Sequence, residues 1–396
     1  MLSEKSRPVI EATLNIVAER MPHITPDFYN RMLTARPDLL DGMFSRSSQL
    51  EGTQPQALSN SIVIFASYIF NNPDKYPDEV LSRVAHKHTS LGLQEDEYET
   101  VYKYLFEAIA ADLGDACTPE VAEAWSEVYW LMANALIKIE KGLYAKQAND
   151  VTKAPFKLVS RKETGEGVVD LTFEPADETP MTDSKAGQYI SLITTAEDGL
   201  HQPRQYTLLP SEKTQRRVAI KLDPNGEMTK RHHALKEGDV VEISNPYGDI
   251  TLGGFGDDGA GPLYLFSAGI GVTPMIAFLS ELAEQDSERE VVVVHSDRRA
   301  DTWPLREEMQ ELVGKLKNGK LVSFLEDGSG DFEGRVDVSK LDVPSNASVY
   351  LCGPLPFMKG TRSQLVDAGV PGVQIQYEIF GPDQWMLRDT ARAENK

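Results

Sequence analysis

The chain has 396 residues, of which 41% are hydrophobic and 26% charged, a composition typical of a globular protein too long for a single hydrophobic core. Its formal net charge of -21 opposes association with nucleic acid or an anionic membrane, so any anionic ligand has to be held by local donors. The two cysteines, Cys117 and Cys352, exclude a disulfide framework, and without a signal peptide or a bilayer-length apolar run the sequence predicts a cytoplasmic protein.

The first segment, from Leu2 to about Tyr144, is predicted to be entirely helical. Apolar residues recur there with helical spacing, and no run alternates as a strand would. In ITPDFYNRML, Thr25 is predicted to cap a new helix, with Pro26 in its first turn. The polar, non-periodic stretch AKQANDVTKA then predicts a linker, and the first domain is assigned to residues 1–147.

Two histidines stand two residues apart in the helical stretch RVAHKHTSLG. Because a helix turns about 100° per residue, their side chains point to nearly opposite faces. His88 joins an apolar stripe with Leu81 and Leu91, whereas His86 belongs to the polar face. From these residues alone, the inward His88 is either a hydrogen-bonded core histidine or a ligand.

In the second segment the pattern changes to short strands separated by turn residues, which predicts a small antiparallel barrel over residues 153–255. Alternate side chains of a strand share a face, so the run RQYTL presents several polar and aromatic groups together. A turn-rich run, NGEMT, follows the next predicted strand. The chemistry-bearing residues of these two runs are Arg204, Tyr206, Thr207, Gly226 and Thr229.

In the third segment buried, β-branched strands alternate with helices, which predicts a parallel α/β sheet over residues 261–396. The turn after its first strand contains Gly269, Gly271, Thr273 and Pro274. Such a turn either lets the backbone approach a phosphate at a helix N-terminus or is simply a tight turn. A later strand ends in YLCGP, at the sheet edge where α/β proteins bind ligands, and the run YEIFGP comes near the end of the chain.

The order of these motifs in the second and third segments resembles the ferredoxin-reductase type of flavin and pyridine-nucleotide module. The resemblance implies that Arg204 pairs with the FAD pyrophosphate, Tyr206 stacks on the isoalloxazine ring, and Thr207 hydrogen-bonds near its N5. It also implies that Tyr189 lines the flavin and that Phe380 covers the ring where nicotinamide enters. Taken singly, the tyrosines also fit ordinary barrel aromatics, and Arg204 fits a surface cation. The other positions assigned to cofactor binding by the resemblance are Gln205, Gly226, Thr229, Gly269, Gly271, Thr273, Pro274, Cys352, Gly353, Glu378, Gly381 and Pro382.

The helical segment contains, in order, TPDFYNRML, GMFS, GTQPQAL, VAHKHTSLG and DEYETV, and this series resembles a bacterial globin. A globin joined to FAD and nicotinamide domains is similar to the flavohaemoglobins over nearly the whole sequence. The resemblance implies an all-α globin domain, an antiparallel β-barrel FAD domain and a parallel-sheet α/β NAD(P) domain. It implies the cofactors haem b, FAD and NADH or NADPH, and it makes His88 the proximal ligand of the haem iron.

The same resemblance assigns the distal side of the haem. Tyr29 lies on an apolar helical face, so its hydroxyl needs a partner there. By resemblance Tyr29 and Gln54 form the distal hydrogen-bonding pair, Leu58 fills space above the iron, and Phe44 packs against the porphyrin edge. Gln54 alone also fits a plain position in the first turn of a helix.

On the proximal side, Glu140 lies at the edge of the apolar stripe of the last predicted helix. A carboxylate there can accept the second ring N–H of His88, which increases the basicity of the imidazole, and the resemblance implies that Tyr98 holds this carboxylate. Neighbouring lysines also allow a solvated Glu140. Lys87 is assigned to the haem propionates or the flavin domain, with a purely structural role as an equal alternative.

The resemblance implies a nitric oxide dioxygenase, in which NAD(P)H reduces FAD, FAD reduces haem, and the ferrous-oxy haem oxidises NO to nitrate. One alternative is a haem-based sensor or store of O2 or NO, whose reductase keeps the iron ferrous. Another is a flavin reductase with a helical docking module. We expect a monomer whose partners are small molecules, namely O2, NO and NAD(P)H. Charge alone does not separate NADH from NADPH, and the tail after Pro382 is longer than the family pattern.

Overall fold

The computed structural model describes residues 1–44, 49, 51–254, 257, 259 and 261–382. The described chain divides into two compact units, of which the first comprises Met1–Gln147, Glu197–Pro203 and 381–382, and the second Ala148–Ala196 and Arg204–Phe380. The limits of the three domains, set above at residues 147, 153, 255 and 261, stay predictions. Residue 255 and the tail from residue 383 lie outside the described residues.

The first unit is helical. Its long helices among the described residues are α1 Arg7–Ala35, α2 Thr53–Asn71, α3 Asp78–Leu91, α4 Glu97–Leu113 and α5 Pro119–Tyr144. Helix α3 starts with two acidic residues and ends at Gly92, whose φ of 86° suits a glycine after a helix. Helix α5 starts after Thr118, whose side chain accepts a hydrogen bond from the backbone of Val121. The all-α prediction for this part of the chain is confirmed. None of the described helices is long and apolar enough to cross a membrane.

The prediction that Thr25 begins a helix is wrong, because α1 continues through both Pro22 and Pro26. Ile24, Thr25 and Phe28 are buried, so the continuous helix places these side chains in the core. The Thr25 hydroxyl donates to the Met21 carbonyl at 3.0 Å instead of accepting at a helix start. Tertiary packing therefore outweighs the local preference of a Thr-Pro pair to open a helix.

The chain after the helical segment forms two sheets, and the first of them is antiparallel. Its strands are β1 Lys153–Glu163, β2 Val168–Pro175, β3 Tyr189–Thr195, β4 His201–Thr207, β5 Arg216–Lys221 and β6 Val240–Ser244, in the order β4-β3-β6-β1-β2-β5. β1 pairs with β2 and β6, β2 with β5, and β3 with β6, all antiparallel. Alternate residues such as Leu171 and Phe173 fill its core, as a sheet with one buried face requires. A short helix, α6 Glu227–His233, packs against β3 and β5.

The second sheet is parallel. Its strands are β7 Leu263–Ala268, β8 Val291–Asp297, β9 Gly319–Leu325, β10 Phe332–Glu333, β11 Ser348–Cys352 and β12 Ile375–Glu378, in the order β10-β9-β8-β7-β11-β12. Its helices are α7 Val272–Glu284, α8 Arg306–Lys315 and α9 Leu355–Asp367. Every residue of β7 and β11 is buried, because helices of a parallel sheet cover both faces. The predicted fold class, helical then antiparallel then parallel, is confirmed.

Candidate functional site

The side chains of His88 on α3, Tyr98 on α4 and Glu140 on α5 meet in one cluster. Its Nδ1 lies 2.8 Å from Glu140 Oε1 and 3.1 Å from the Tyr98 hydroxyl. The Tyr98 hydroxyl donates to the same Glu140 oxygen at 2.6 Å. An ionised carboxylate only accepts hydrogen bonds, so the ring proton of His88 is assigned to Nδ1 and the lone pair to Nε2.

Glu140 and His88, at the two ends of this cluster, differ in exposure. The Glu140 side chain is 4% exposed, whereas that of His88 is 31% exposed. The Tyr129 hydroxyl donates to the backbone carbonyl of Tyr98 at 2.6 Å and holds the start of α4 in place. Burial, and then the charge of Glu140, raises the pKa of Tyr98, so its hydroxyl remains a donor. Among the described residues, nothing hydrogen-bonds to His88 Nε2, and this outward nitrogen fits an axial ligand of haem iron.

The predicted distal residues come from α1 and α2. Tyr29 is buried on α1, and its ring lies edge-on to Phe44 with centroids 5.9 Å apart. Gln54 and Leu58 are one helical turn apart on α2, and Gln54 hydrogen-bonds to Tyr29. Burial raises the pKa of Tyr29, and the hydrogen bond from Gln54 opposes that rise only in part.

A cavity of about 330 Å³ opens beside Tyr29. Its lining combines apolar and polar side chains, namely Pro26, Asn30, Leu33, Thr34, Gln49 and Pro55. A buried phenol at the wall of such a cavity can donate a hydrogen bond to a small bound molecule. Lys87, one residue before His88, is only partly buried on α3.

The residues predicted to hold the flavin lie mainly on β4. Arg204 and Tyr206 alternate with Gln205 and Thr207 along this strand. Gln205 Nε2 donates to Ser191 Oγ on β3 at 2.8 Å, and Thr207 is buried. Tyr206 is partly buried, and its hydroxyl lies 2.8 Å from His232 Nδ1.

Tyr189 begins β3, where its backbone pairs with Tyr247 through two hydrogen bonds of 2.7 and 2.9 Å. Gly226 ends the loop before α6, and Thr229 lies in the first turn of that helix. The Thr229 hydroxyl accepts from the Asp223 backbone at 3.1 Å, and a Cβ on Gly226 would lie 2.9 Å from Thr229 Oγ1. Gly226 is therefore needed for close packing of this loop.

The glycine-rich turn after β7 packs tightly against the end of β11. A Cβ on Gly271 would lie 2.3 Å from the Cys352 carbonyl oxygen, and one on Gly353 would lie 3.1 Å from the Ala268 Cβ. Thr273 Oγ1 donates to the Ile270 carbonyl at 3.2 Å, and the following Pro274 is buried in the first turn of α7. The backbones of the two strand ends can approach each other because these positions lack side chains.

The thiol of Cys352 is buried, and burial raises its pKa well above the ordinary value, so it remains protonated. After β12 the chain continues through Glu378, which is partly buried, and Phe380, which is 48% exposed. Gly381 follows with a φ of 146°, and Pro382 is the last described residue. An exposed phenylalanine at this place is compatible with covering a planar ring.

Sequence reasoning missed His232, whose Nδ1 lies 2.8 Å from the Tyr206 hydroxyl. The stretch KRHH in α6 has the composition of a solvated basic helix, yet His232 is fully buried. Its partners are on β3 and β4, which are distant in sequence, so local periodicity carried no signal for it.

Comparisons with known proteins agree with this architecture. Family models described as globin, oxidoreductase FAD-binding domain and oxidoreductase NAD-binding domain match residues 26–136, 155–252 and 265–363. A flavohemoprotein of Bordetella parapertussis is 36% identical, over 96% of this chain and 99% of that protein. The crystal structure of flavohemoglobin from Malassezia yamatoensis with bound FAD and heme is 60% identical with a TM-score of 0.94, over 96% of this chain and 100% of the other.

The FAD/NAD-binding domain of a nitric oxide dioxygenase from Vibrio cholerae is 29% identical with a TM-score of 0.52, and it covers 58% of this chain and 99% of its own. Fold and site together define a globin joined to a flavin and nicotinamide oxidoreductase module. The chain belongs to the flavohemoprotein family.

Proposed function

We propose that the protein is a nitric oxide dioxygenase that takes electrons from NAD(P)H and converts NO and O2 to nitrate. Support comes from the family and from the likeness of its second unit to the Vibrio cholerae nitric oxide dioxygenase. The observation that carries the proposal is the buried Glu140 carboxylate on His88 Nδ1, with Tyr98 donating to the same oxygen.

The residues present fit both prosthetic groups of the crystallised flavohemoglobin. His88 would hold haem through Nε2, with Phe44 and Leu58 beside it, and Lys87 is proposed to face a propionate or the flavin domain. When bound, haem supplies a redox-active iron that takes up dioxygen, and FAD converts a two-electron hydride donor into single-electron transfers.

Glu140 and Tyr98 orient the proximal histidine and increase its basicity. An imidazole that donates from Nδ1 to a carboxylate is a stronger electron donor through Nε2 than one bonded to water. A store that only binds and releases O2 gains little from this electron donation, whereas oxidation of NO uses it. The cluster therefore favours turnover over storage.

Tyr29 is proposed to donate a hydrogen bond to the small molecule that binds on the distal side of the haem. Its hydroxyl is buried, and its raised pKa keeps the proton in place across physiological pH. Gln54 holds the phenol from the other side and can be a second donor. Such hydrogen bonds are strongest in a site that excludes water.

In the second unit, Arg204, Tyr206 and Thr207 are proposed to hold FAD, with Tyr189, Gln205, Gly226 and Thr229 completing that site. The turn Gly269–Gly271 is proposed to receive the pyrophosphate of NAD(P)H, at the strand ends where parallel sheets bind ligands. Phe380 is proposed to leave the flavin when nicotinamide enters. The other residues assigned to the nicotinamide end are Thr273, Pro274, Cys352, Gly353, Glu378, Gly381 and Pro382.

The test is His88→Ala in the full-length protein, produced with ample haem precursor. We expect loss of the Soret band and of NADH- and O2-dependent NO consumption, because the variant has no axial imidazole. His86→Ala, two residues earlier on the same helix, is the matched control and should retain both. NO consumption that survives His88→Ala would contradict the proposal, and a haem-loaded wild type that consumes no NO would favour a sensor or store.

A further inference from the structure

His232 is fully buried, and both of its ring nitrogens are engaged. Nδ1 lies 2.8 Å from the Tyr206 hydroxyl on β4, and Nε2 lies 2.9 Å from Thr194 Oγ1 on β3. The rings of Tyr206 and His232 meet edge-on, with centroids 5.5 Å apart and an interplanar angle of 80°. One imidazole on α6 therefore joins side chains from two neighbouring strands.

The imidazole is neutral in the folded protein. Burial lowers the pKa of His232 to about 3, and the positive charges of Arg204 and His233 act in the same direction. A neutral imidazole has one donor and one acceptor, so it can join two hydroxyls in one continuous chain of hydrogen bonds. Burial also raises the pKa of Tyr206, whose hydroxyl stays protonated and completes this chain.

The Tyr206 side chain is partly buried, and its hydroxyl is the end that bonds the fully buried His232. A hydrogen bond at the hydroxyl fixes the far end of the ring and so restricts rotation about the Cα–Cβ bond, which decides where the ring lies. The hydroxyl oxygen lies on the Cβ–Cγ axis, so the bond limits rotation about that axis only through the preference of the O–H for the plane of the ring. Thr194 restrains His232 in turn, so the position of the Tyr206 ring depends on the contacts made at both nitrogens of His232.

We propose that His232 is a positioning residue for the flavin. Through the chain Tyr206–His232–Thr194 it holds the ring of Tyr206 in the place where the ring stacks on isoalloxazine. This assignment rests on the proposed function, because it places FAD against Tyr206. His232 itself does not touch the flavin.

Two substitutions of His232 test its two ring nitrogens one at a time. The polar group of Asn reaches the position of Nδ1 and can still bond Tyr206, whereas that of Gln reaches the position of Nε2 and bonds Thr194 instead. The full-length apoprotein of each variant is titrated with FAD, and the flavin's visible absorption band is recorded. We expect His232→Asn to bind FAD within about twofold of wild type, and His232→Gln to bind about fivefold more weakly with a shifted band, the effect of one lost hydrogen bond.

Tyr206→Phe removes only the hydroxyl and keeps the ring, so it tests the same bond from the other end without threatening the fold. We expect the same weakening and the same band shift as in His232→Gln, and no further effect when the two changes are combined. The matched control is His233→Gln, since His233 Nε2 bonds the Ile220 carbonyl at 2.9 Å and should leave the flavin band unchanged.

Three results would overturn the positioning role: equal effects of His232→Asn and His232→Gln, no effect of Tyr206→Phe, or additive effects in the double variant. If these occur while the wild type holds FAD and consumes NO, the positioning role alone fails. A wild type that binds no FAD overturns this role together with the proposed function.

Discussion

Both histidine clusters pair a histidine with a tyrosine, but the histidine has a different role in each. His88 and His232 each contact a tyrosine hydroxyl, at 3.1 and 2.8 Å. Among the residues that the structure describes, His88 has hydrogen-bond partners at Nδ1 alone, and its side chain is 31% exposed, whereas His232 is bonded at both nitrogens and fully buried. The first histidine is oriented by its neighbours and keeps one nitrogen open to a ligand, and the second orients a neighbour.

A carboxylate accounts for much of this difference. Glu140 accepts from both His88 and Tyr98 through one oxygen, so the imidazole proton is drawn toward Nδ1. His232 has only hydroxyl partners and lies near the positive charge of Arg204, which disfavours an imidazolium. The proposed ligand, His88, has a nearby negative charge and leaves Nε2 for a ligand. The proposed positioning residue, His232, has a nearby positive charge and uses both of its nitrogens.

Replacing Glu140 by Gln tests the carboxylate and should have the largest effect. Gln keeps an acceptor for His88 but removes the negative charge, so we expect NO consumption to fall about 10- to 100-fold while haem content stays near normal. Pyridine haemochrome content and NADH-dependent NO consumption, measured side by side, check this.

Glu123→Gln is the control for that substitution, because Glu123 is on the same helix but is exposed and paired with Lys5. It should leave both quantities unchanged. If Glu140→Gln loses its haem, the carboxylate acts on the structure of the pocket and not on the reaction, and the contrast between the two histidines weakens.

Acidification tests the neutral state of His232. Its pKa is about 3 in the folded protein and near 6.5 in an unfolded chain, so below pH 6.5 the unfolded state binds a proton that the folded state refuses. This group therefore destabilises the fold as pH falls, by about 2 kcal/mol between pH 6.5 and 4.5. Urea unfolding of wild type and His232→Asn at both pH values should give a smaller loss of stability for the variant, and equal losses would show that His232 is protonated in the fold.

Much of the first cluster followed from the sequence, because its signals are local. Helical periodicity predicted His88 on the apolar stripe of α3 and Glu140 at the edge of that of α5, and in the structure the Glu140 side chain is buried while that of His88 is 31% exposed. Their meeting at 2.8 Å depends on how α3 and α5 pack, which periodicity does not specify. The resemblance to a known family supplied the expectation that they meet.

Elsewhere the determining contacts are distant in sequence, and local patterns failed. His232 is buried by strands that precede it by 26 and 38 residues. Thr25 and Pro26 have the local pattern of a helix start, yet the core holds them inside α1. Gly271 was assigned to a phosphate, but its lack of a side chain also serves the approach of β11, which only the fold reveals.

The hydroxyls of Tyr206 and Tyr29 can be compared in the same way as the two histidines. Removing the Tyr29 hydroxyl has the smallest effect that we expect. The Tyr206 hydroxyl is committed to His232, whereas that of Tyr29 is at a cavity wall beside Gln54. Tyr29→Phe should therefore speed loss of dioxygen from the reduced protein about fivefold, since one distal hydrogen bond is worth about 1 kcal/mol. Stopped-flow dissociation rates check this, with Tyr102→Phe as control because its hydroxyl bonds Ser126 at 3.0 Å. An unchanged rate in Tyr29→Phe would mean that this hydroxyl, like that of Tyr206, is engaged only within the protein.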